Sequence, residues 1–172
     1  MTQGHPMPSE QDFRDVMAEV CSPVTVVTSM LTDEPHGTTV SAFASLSLRP
    51  PMVTVALDRN SDLLARVRAS GRLGVNILGS GQDRLAVQFA RKGRDKFAGV
   101  EWYVDHDLPR LSRAVGWLVC AVEQLIGGGD HELVIAAVQY ADAAPAAPLA
   151  YHRRVFGTHS GFANCRRPVS NG

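Results

Sequence analysis

The segment AVGWLVCAVEQLIGGGDHELVIAAVQYADA, residues 114–143, holds two long apolar stretches on either side of Gly127 to Asp130. Each stretch is rich in β-branched and other apolar residues, which predicts two long strands joined as a hairpin by the glycine-rich connection. In the second stretch both faces of the predicted strand are apolar, with Leu133, Ile135 and Ala137 on one face and Val134, Ala136 and Val138 on the other. Two apolar faces indicate a barrel whose outside is covered by helices or by a second subunit.

Shorter helix and strand patterns occupy the rest of the chain. Helices are predicted from Ser9 to Cys21, over 61–70, which Gly71 closes, and over 81–90. Strands are predicted over 24–30, 38–48, 52–58, 72–78 and 149–156, with a turn at 33–37 and a basic loop at 91–99. This pattern indicates one antiparallel, Greek-key-like domain that is mostly β with flanking helices. We expect the domain over 13–157, an N-terminal tail and helix start over 1–12, and a flexible C-terminal tail over 158–172.

Composition and charge argue against several kinds of partner. The 172 residues include 17 Lys and Arg and 17 Asp and Glu, so no net charge draws the chain to nucleic acid or to an anionic membrane. The N-terminus lacks the apolar core of a signal peptide and no run has the length of a membrane span, which predicts a cytoplasmic location. Cys21, Cys120 and Cys165 form no C-x-x-C pair, so neither a disulfide framework nor a thiolate metal site is predicted.

Familiar motifs for metals and nucleotides are incomplete. The six histidines do not fall at metal-ligand spacing, so no metal site is predicted. The sequence DHD, from Asp105 to Asp107, is open to two interpretations, a cation site or a solvated turn that leads into Pro109. GSGQDR and GGGDHE both lack the last glycine of G-x-G-x-x-G, and neither a Walker A motif nor a nucleophile elbow is present.

The stretch HGTTVSAFASLSLRPP, residues 36–51, carries a row of small hydroxyl side chains. In a continuous strand Thr39, Ser41, Ser45 and Ser47 alternate onto one face. Such a row suits ribityl or phosphate oxygens, and the small Ala42 leaves room for a flat ring. The alternative is an edge strand whose polar residues face water.

Two further pairs of residues are candidates for binding an anion. Asn60 and Ser61 begin a predicted helix, where backbone amides attract anions, although simple N-capping explains both residues equally. Arg94 and Lys96 would supply positive charge near a phosphate, and the alternative for them is a solvated basic loop.

Five segments in order resemble the flavin reductases of two-component flavin-dependent monooxygenases. These enzymes are short-chain NAD(P)H:flavin oxidoreductases with an FMN-binding split-barrel fold. The segments are HGTTVSAFASLSLRPPMVTVALDRNS, LGVNILGSGQDRLAVQFA, DKFAGVEW, WLVCAVEQLIGGGDHELVIAAV and PLAYHRRVFG. The resemblance covers Phe13 to Gly157, and Gly-Asp-His between two strands is its most specific element.

The resemblance implies particular site residues. The residues implied for the flavin are Thr39, Val40, Ser41, Ala42, Phe43, Ser45, Leu46, Asn60, Ser61 and Arg94. Those implied for the nicotinamide dinucleotide are His131, Phe156 and Gly157, with His131 as the catalytic candidate. The glycines at 127–129 would let the loop pass close to the dinucleotide. A purely structural turn and a structural histidine remain the alternative.

The resemblance also implies a function. It implies a reductase that transfers hydride from NADH or NADPH to FAD or FMN and supplies free reduced flavin to a partner monooxygenase, as a homodimer. Two other functions stay open: a split-barrel oxidase that retains its flavin, and a flavin-binding module without turnover.

Two departures from the family pattern bear on loop geometry. Arg154 stands where many members carry glycine and could favour a 2′-phosphate, and TSML at 28–31 replaces a turn that usually contains glycine.

Overall fold

The computed structural model of the chain describes residues 7–93 and 95–159. Arg94, the expected C-terminal tail from Ser160 and Cys165 lie outside the described residues. The helices are α1 (Glu10–Ala18), α2 (Asp62–Ser70) and α3 (Asp83–Ala90). The strands are β1 (Ser22–Pro23), β2 (Thr25–Leu31), β3 (Glu34–Val40), β4 (Phe43–Leu48), β5 (Pro51–Asp58), β6 (Arg72–Ile77), β7 (Trp102–Asp105), β8 (Leu108–Leu111), β9 (Gly116–Gly128), β10 (His131–Ala143), β11 (Ala150–His152) and β12 (Val155–Gly157).

The main sheet is antiparallel and has the strand order β3-β2-β6-β9-β10-β5-β4. Its two edge strands, β3 and β4, are consecutive in the chain and are separated only by Ser41 and Ala42. Because two residues cannot span a flat seven-stranded sheet, the sheet curls until its edges meet at this link. The predicted antiparallel barrel, mostly β with flanking helices, is confirmed.

The long hairpin forms where the sequence predicts it. His131 of β10 pairs with Gly128 of β9, which leaves Gly129 and Asp130 as the turn. Gly129 has a φ of 63°, a conformation that glycine adopts without strain. On β10, Val134 and Ala136 are fully buried, whereas Leu133 and Ile135 on the other face are only half-buried.

Two helices pack on the sheet and fix the loops beside it. α2 buries Leu63, Leu64 and Val67 in the larger core cluster, and each such side chain stabilises the fold by about 1.5–3 kcal/mol. As predicted, Ser61 caps this helix, with its Oγ accepting a hydrogen bond from the Leu64 N–H at 3.2 Å, and Gly71 ends it with a φ of 67°. α3 buries Ala86 and Phe89 in the second cluster, together with Val24, Val26, Leu78, Leu111 and Leu149.

Two sequence predictions around β3 are wrong. The segment predicted as a turn, 33–37, lies mostly in β3, and the turn is formed by Thr32 and Asp33 with φ values of 49° and 61°. Gly37 lies within β3 instead of in a turn, and a Cβ there would lie 2.9 Å from the Phe89 ring, so glycine at this position lets α3 pack closely on the strand. The strand predicted over 38–48 breaks at Ser41 and Ala42, since the chain passes there from one sheet edge to the other.

The ends of the chain also differ from the prediction. α1 begins with a capping box between Ser9 and Asp12, as expected, but it ends at Ala18 instead of Cys21. The single strand predicted over 149–156 is a short hairpin, β11 and β12, around Arg153 and Arg154. The Arg153 N–H donates to the Ala18 carbonyl at 2.9 Å, so the end of α1 holds this turn in place.

The DHD segment forms a turn in a hairpin that the sequence analysis missed. β7 and β8 pair around His106 and Asp107, whose φ values are 52° and 62°. Asp105 accepts a hydrogen bond from Arg110 at 2.9 Å, and this bond holds the pKa of the carboxyl below its usual range. Asp105 is therefore engaged in an ion pair. Within the described ranges, no group of three or more His, Cys, Asp or Glu is placed to hold a metal ion.

Among residues 7–93 and 95–159, no helix is long and apolar enough to cross a membrane.

Candidate functional site: a groove of three recesses

Three adjoining recesses form a groove along β3, the start of α2 and the loop after α3. The ring recess, about 250 Å³, is lined by Thr38, Thr39, Val40, Ser41, Ala42, Ala56, Leu57, Asp58, Ser61 and His131. The cationic recess, about 400 Å³, is lined by His36, Thr38, Asp58, Asn60, Ser61, Asp62, Ala90, Arg91, Lys92, Gly93 and Lys96. The outer recess, about 510 Å³, is lined by Glu34, Pro35, His36, Asp62, Ala65, Arg66, Asp95 and Phe97.

Shared residues join the recesses in one order. Thr38, Asp58 and Ser61 line both the ring recess and the cationic recess. His36 and Asp62 line both the cationic recess and the outer recess. The groove therefore runs from the link at Ser41 and Ala42, where the sheet edges meet, through the cationic recess to the exposed side of α2.

The wall of the ring recess is mainly backbone and small side chains. Ser41 and Ala42 link the two edge strands, and the Ala42 carbonyl accepts a hydrogen bond from the Ala56 N–H at 3.0 Å. This bond ties the link to β5 and keeps it in place. The small side chains of this link leave room for a planar ring.

The row of hydroxyls expected from the sequence does not form. The Thr39 Oγ1 donates to the Ala86 carbonyl of α3 at 2.6 Å, so this hydroxyl faces the helix and is already satisfied. Ser45 and Ser47 lie on the edge strand β4, where an irregular register separates them. The break at Ser41 removes the strict alternation on which the prediction depended.

Asn60 and Ser61 lie where the start of α2 meets the groove. Ser61 caps α2, and the Asn60 N–H donates to the Asp58 Oδ1 at 2.7 Å. Both residues also line the cationic recess. Capping and lining are compatible because the start of α2 lies at the wall of the groove.

Lys96 is the most unusual residue of the cationic recess. It is only 8% exposed, and its Nζ donates to the Thr38 Oγ1 at 2.7 Å and to the Phe89 carbonyl at 3.1 Å. Both acceptors are neutral, and no carboxylate of the described residues lies within ion-pair distance. Burial lowers the pKa of Lys96, and Asp62 nearby opposes that shift. A buried cation without a paired anion favours a bound anion.

His36 lies beside Lys96, between the cationic and outer recesses. It is 8% exposed, and its imidazole makes no hydrogen bond to any described residue. Burial, together with the positive charges of Lys96 and Arg66, lowers its pKa, so the ring is neutral near pH 7. A neutral imidazole offers a ligand one donor and one acceptor.

His131 occupies the opposite end of the ring recess. Its side chain is 45% exposed, and its Nδ1 lies 2.8 Å from the Asp130 Oδ1. The hydrogen bond with His131 lowers the pKa of Asp130 and orients the imidazole. The Arg59 Nε donates to the His131 carbonyl at 3.3 Å, which places a cation beside the turn.

Several predicted residues do not line the groove. Phe43 packs against the larger core cluster, and Ser45 and Leu46 are exposed on the edge strand. Phe156 contacts Tyr151 with ring centroids 4.9 Å apart, and neither it nor Gly157 lines a recess of the groove in this chain. Arg154 donates to Asp15 of α1 at 3.4 Å, so it is not positioned at His131.

Sequence reasoning missed His36, Thr38, Asp58 and Asp62. His36 and Thr38 lie within the first segment of the resemblance, yet their residue types alone gave no reason to select them. Lys96 was considered as a phosphate ligand, but a lysine in a run of basic residues does not reveal that it is buried. Arg94, predicted for the same loop, lies outside the described residues.

The residues of the groove fit a flavin. The ring recess suits a planar ring, and the adjoining Lys96, Arg91 and Lys92 suit phosphate. Flavins combine a planar ring with a ribityl phosphate, and the order of the two recesses follows that chemistry.

Comparison with known proteins identifies the family of the chain. Residues 17–160 match the family described as flavin reductase like domain. The reductase component of 4-nitrophenol 4-monooxygenase/4-nitrocatechol 2-monooxygenase from Rhodococcus opacus is 40% identical over 146 residues, covering 85% of this chain and 79% of that protein. The NADH:riboflavin 5′-phosphate oxidoreductase from Streptomyces pristinaespiralis is 37% identical over 158 residues, covering 89% and 90%.

Solved structures agree as well. Nitrilotriacetate monooxygenase component B from Mycobacterium thermoresistibile superposes with a TM-score of 0.86 at 29% identity, covering 92% of this chain and 91% of that one. The resemblance inferred from the sequence is confirmed, and the chain belongs to the flavin reductase like domain family.

Proposed function

We propose that this protein is an NAD(P)H-dependent flavin reductase that releases reduced flavin to a partner monooxygenase. The observation that carries the proposal is the continuity of the groove, in which a slot for a planar ring lies between the buried Lys96 and the exposed His131. The names of relatives as NADH-dependent flavin oxidoreductases and as reductase components of monooxygenases support both parts of it.

The chain would contribute orientation more than acid-base chemistry. When bound, flavin accepts the hydride of NAD(P)H, a transfer that depends on holding two rings in contact. The link at Ser41 and Ala42 would support the flavin ring, and Lys96 would hold its phosphate. His131, oriented by Asp130, would hydrogen-bond the nicotinamide dinucleotide through Nε2. We retain Thr39, Val40, Asn60 and Ser61 as flavin contacts because they line the groove.

We also propose that the protein is a homodimer. The apolar face of α1 is exposed in the single chain, with Phe13 at 59%, Val16 at 67% and Met17 at 47%, and Val20 just after the helix is 47% exposed as well. α1 holds the β11–β12 hairpin through Arg153 and Arg154. A second copy on this face would bring its own hairpin, with Phe156 and Gly157, toward the groove. The cytoplasmic location stays a prediction from the sequence.

The function is tested by steady-state oxidation of NADH and NADPH with FAD, FMN or no added flavin. The proposal predicts turnover that requires added flavin and saturates with it. Turnover of the purified protein without added flavin would favour an oxidase that retains its flavin. Binding of flavin without any oxidation would favour a binding module.

The dimer is tested by light scattering on the wild type and on the double variant Phe13→Glu, Val16→Glu. We expect the wild type to be a dimer and the variant to be a folded monomer with little activity. Arg14→Glu changes the charge of the same helix by the same amount outside the apolar face, so it should remain a dimer. A monomeric wild type with full activity would contradict the proposal.

A further inference from the structure

We propose that the outer recess binds the adenosine of FAD, so that this protein uses FAD in preference to FMN. The proposal rests on the proposed function, because it extends the same groove beyond the flavin phosphate. The outer recess adjoins the cationic recess through His36 and Asp62 and lies on the side away from the ring recess. FMN ends at its phosphate and would leave this space empty, whereas FAD continues with a second phosphate and adenosine.

The charges of the groove are sorted in the order that FAD requires. In the cationic recess the cations Arg91, Lys92 and Lys96 outnumber the two carboxylates, Asp58 and Asp62, which suits the phosphates of the ligand. In the outer recess the carboxylates Glu34, Asp62 and Asp95 outnumber the single cation, Arg66. Carboxylates repel phosphate but accept hydrogen bonds from ribose hydroxyls and from the adenine amino group.

His36 marks the junction between these two sections. The residue is only 8% exposed and lines both recesses, and its imidazole makes no hydrogen bond to the residues described, so its ring nitrogens are open to a ligand in the groove. A neutral imidazole at this position can donate to, or accept from, the sugar or the phosphate that passes it.

Two fixed side chains complete the outer recess. The Arg66 guanidinium, on α2, donates to the Glu34 carbonyl at 3.2 Å and to the Glu34 Oε2 at 3.0 Å, which closes one rim. Phe97 is held edge-on against Phe89 and Trp102, with centroid distances of 4.9 Å and 5.2 Å. This aromatic wall offers apolar surface to a nucleobase.

The test measures the dissociation constants of FAD and FMN by calorimetry for the wild type and for Ala65→Leu. Ala65 is an exposed helix residue that lines only the outer recess, so leucine narrows the recess without disturbing the core. We expect the wild type to bind FAD about fivefold or more tightly than FMN. Ala65→Leu should weaken FAD by about fivefold while FMN changes by less than about twofold. Ala69→Leu, exposed one turn further along α2 and outside the groove, should bind both flavins like the wild type.

One further arm separates FAD from the other adenosine-containing ligand, NAD(P)H. With FMN as acceptor, Ala65→Leu should leave the KM for NADH unchanged. A raised KM in that assay would assign the outer recess to the nicotinamide dinucleotide and overturn the proposal. Equal affinities of the wild type for FAD and FMN that do not change in Ala65→Leu would also overturn the proposal. If the protein still oxidised NADH in a flavin-dependent reaction, the proposed reductase function would be unaffected. Failure to reduce either flavin would contradict both.

Discussion

In the cationic recess Lys96 is buried against neutral acceptors, whereas in the ring recess His131 is half-exposed and already has a carboxylate partner. The first arrangement leaves a charge without an ion-paired carboxylate, so a phosphate there gains a strong interaction. The second is solvated, so each contact with a ligand replaces a contact with water and gains less. We therefore expect the affinity for flavin to depend strongly on single residues such as Lys96. The affinity for the nicotinamide dinucleotide, near His131, should depend on several weak contacts.

Replacing Lys96 should produce the largest effect. Lys96→Met should weaken FAD and FMN by about tenfold to a hundredfold, since a hydrogen bond to a charged group contributes about 1.5–3 kcal/mol. Riboflavin, which lacks the phosphate, should bind as before, and the measurement is flavin binding by fluorescence. Lys92→Met, at an exposed cation of the same recess, is the matched control and should cost far less. Equal loss of riboflavin would show that Lys96 only supports the fold.

Replacing His131 should have a smaller and more selective effect. His131→Ala should lower kcat/KM for NADH by about fivefold, the value of one exposed hydrogen bond of about 1 kcal/mol. The dissociation constant of the flavin should change by less than about twofold. Steady-state kinetics with NADH and a flavin titration on the same preparation measure the two effects separately. If both ligands lose affinity equally, His131 has a structural role.

Lowering the pH should reduce the stability of the folded protein through the buried His36. Because the pKa of His36 is lowered in the folded protein, the unfolded chain binds the proton more readily, and stability falls as the pH drops below about 6.5. His36→Asn should flatten this dependence in urea unfolding between pH 7.5 and pH 5.5. Identical slopes for wild type and His36→Asn would contradict the assignment.

The smallest of these effects should come from replacing Gly129, in the turn of the long hairpin, and Gly127, near the end of β9. Gly129→Ala should destabilise the protein by about 1 kcal/mol because alanine resists a positive φ. In Gly127→Ala the new Cβ would lie 2.5 Å from the Arg59 guanidinium, a flexible group that can move aside. We expect Gly127→Ala to cost less than about 0.5 kcal/mol and to leave the KM for NADH within about twofold. A large rise in that KM would show that Arg59 positions the dinucleotide.

Local features of this fold were predictable. The capping residues Ser9 and Ser61, the closing Gly71 and the hairpin around Gly129 depend on interactions within a few residues, which the sequence displays directly. The order of apolar strands was equally visible. Predictions failed where distant segments decide the backbone, as at Ser41 and Ala42, where the closing of the sheet interrupts a run that local propensity favours as one strand.

The candidate site divides in the same way. Thr39 has the right residue type for a ribityl ligand, yet its hydroxyl is satisfied by the Ala86 carbonyl, a partner 47 positions away in the chain. Phe156 follows the family pattern but packs beside Tyr151 in the single chain. The sequence pattern does not predict which group a side chain such as Thr39 or Phe156 will contact, because that depends on which elements become neighbours in the fold.

The sequence by itself determined the mostly β barrel, its long hairpin and its family, since periodicity, caps and turn residues act over short distances. Only the tertiary structure decided that Lys96 and His36 are buried and that three recesses join into one groove. Burial depends on contacts between β3, α2 and the loop after α3, which are far apart in the chain. The chemistry of both side chains, and with it the proposed choice of FAD, follows from that packing.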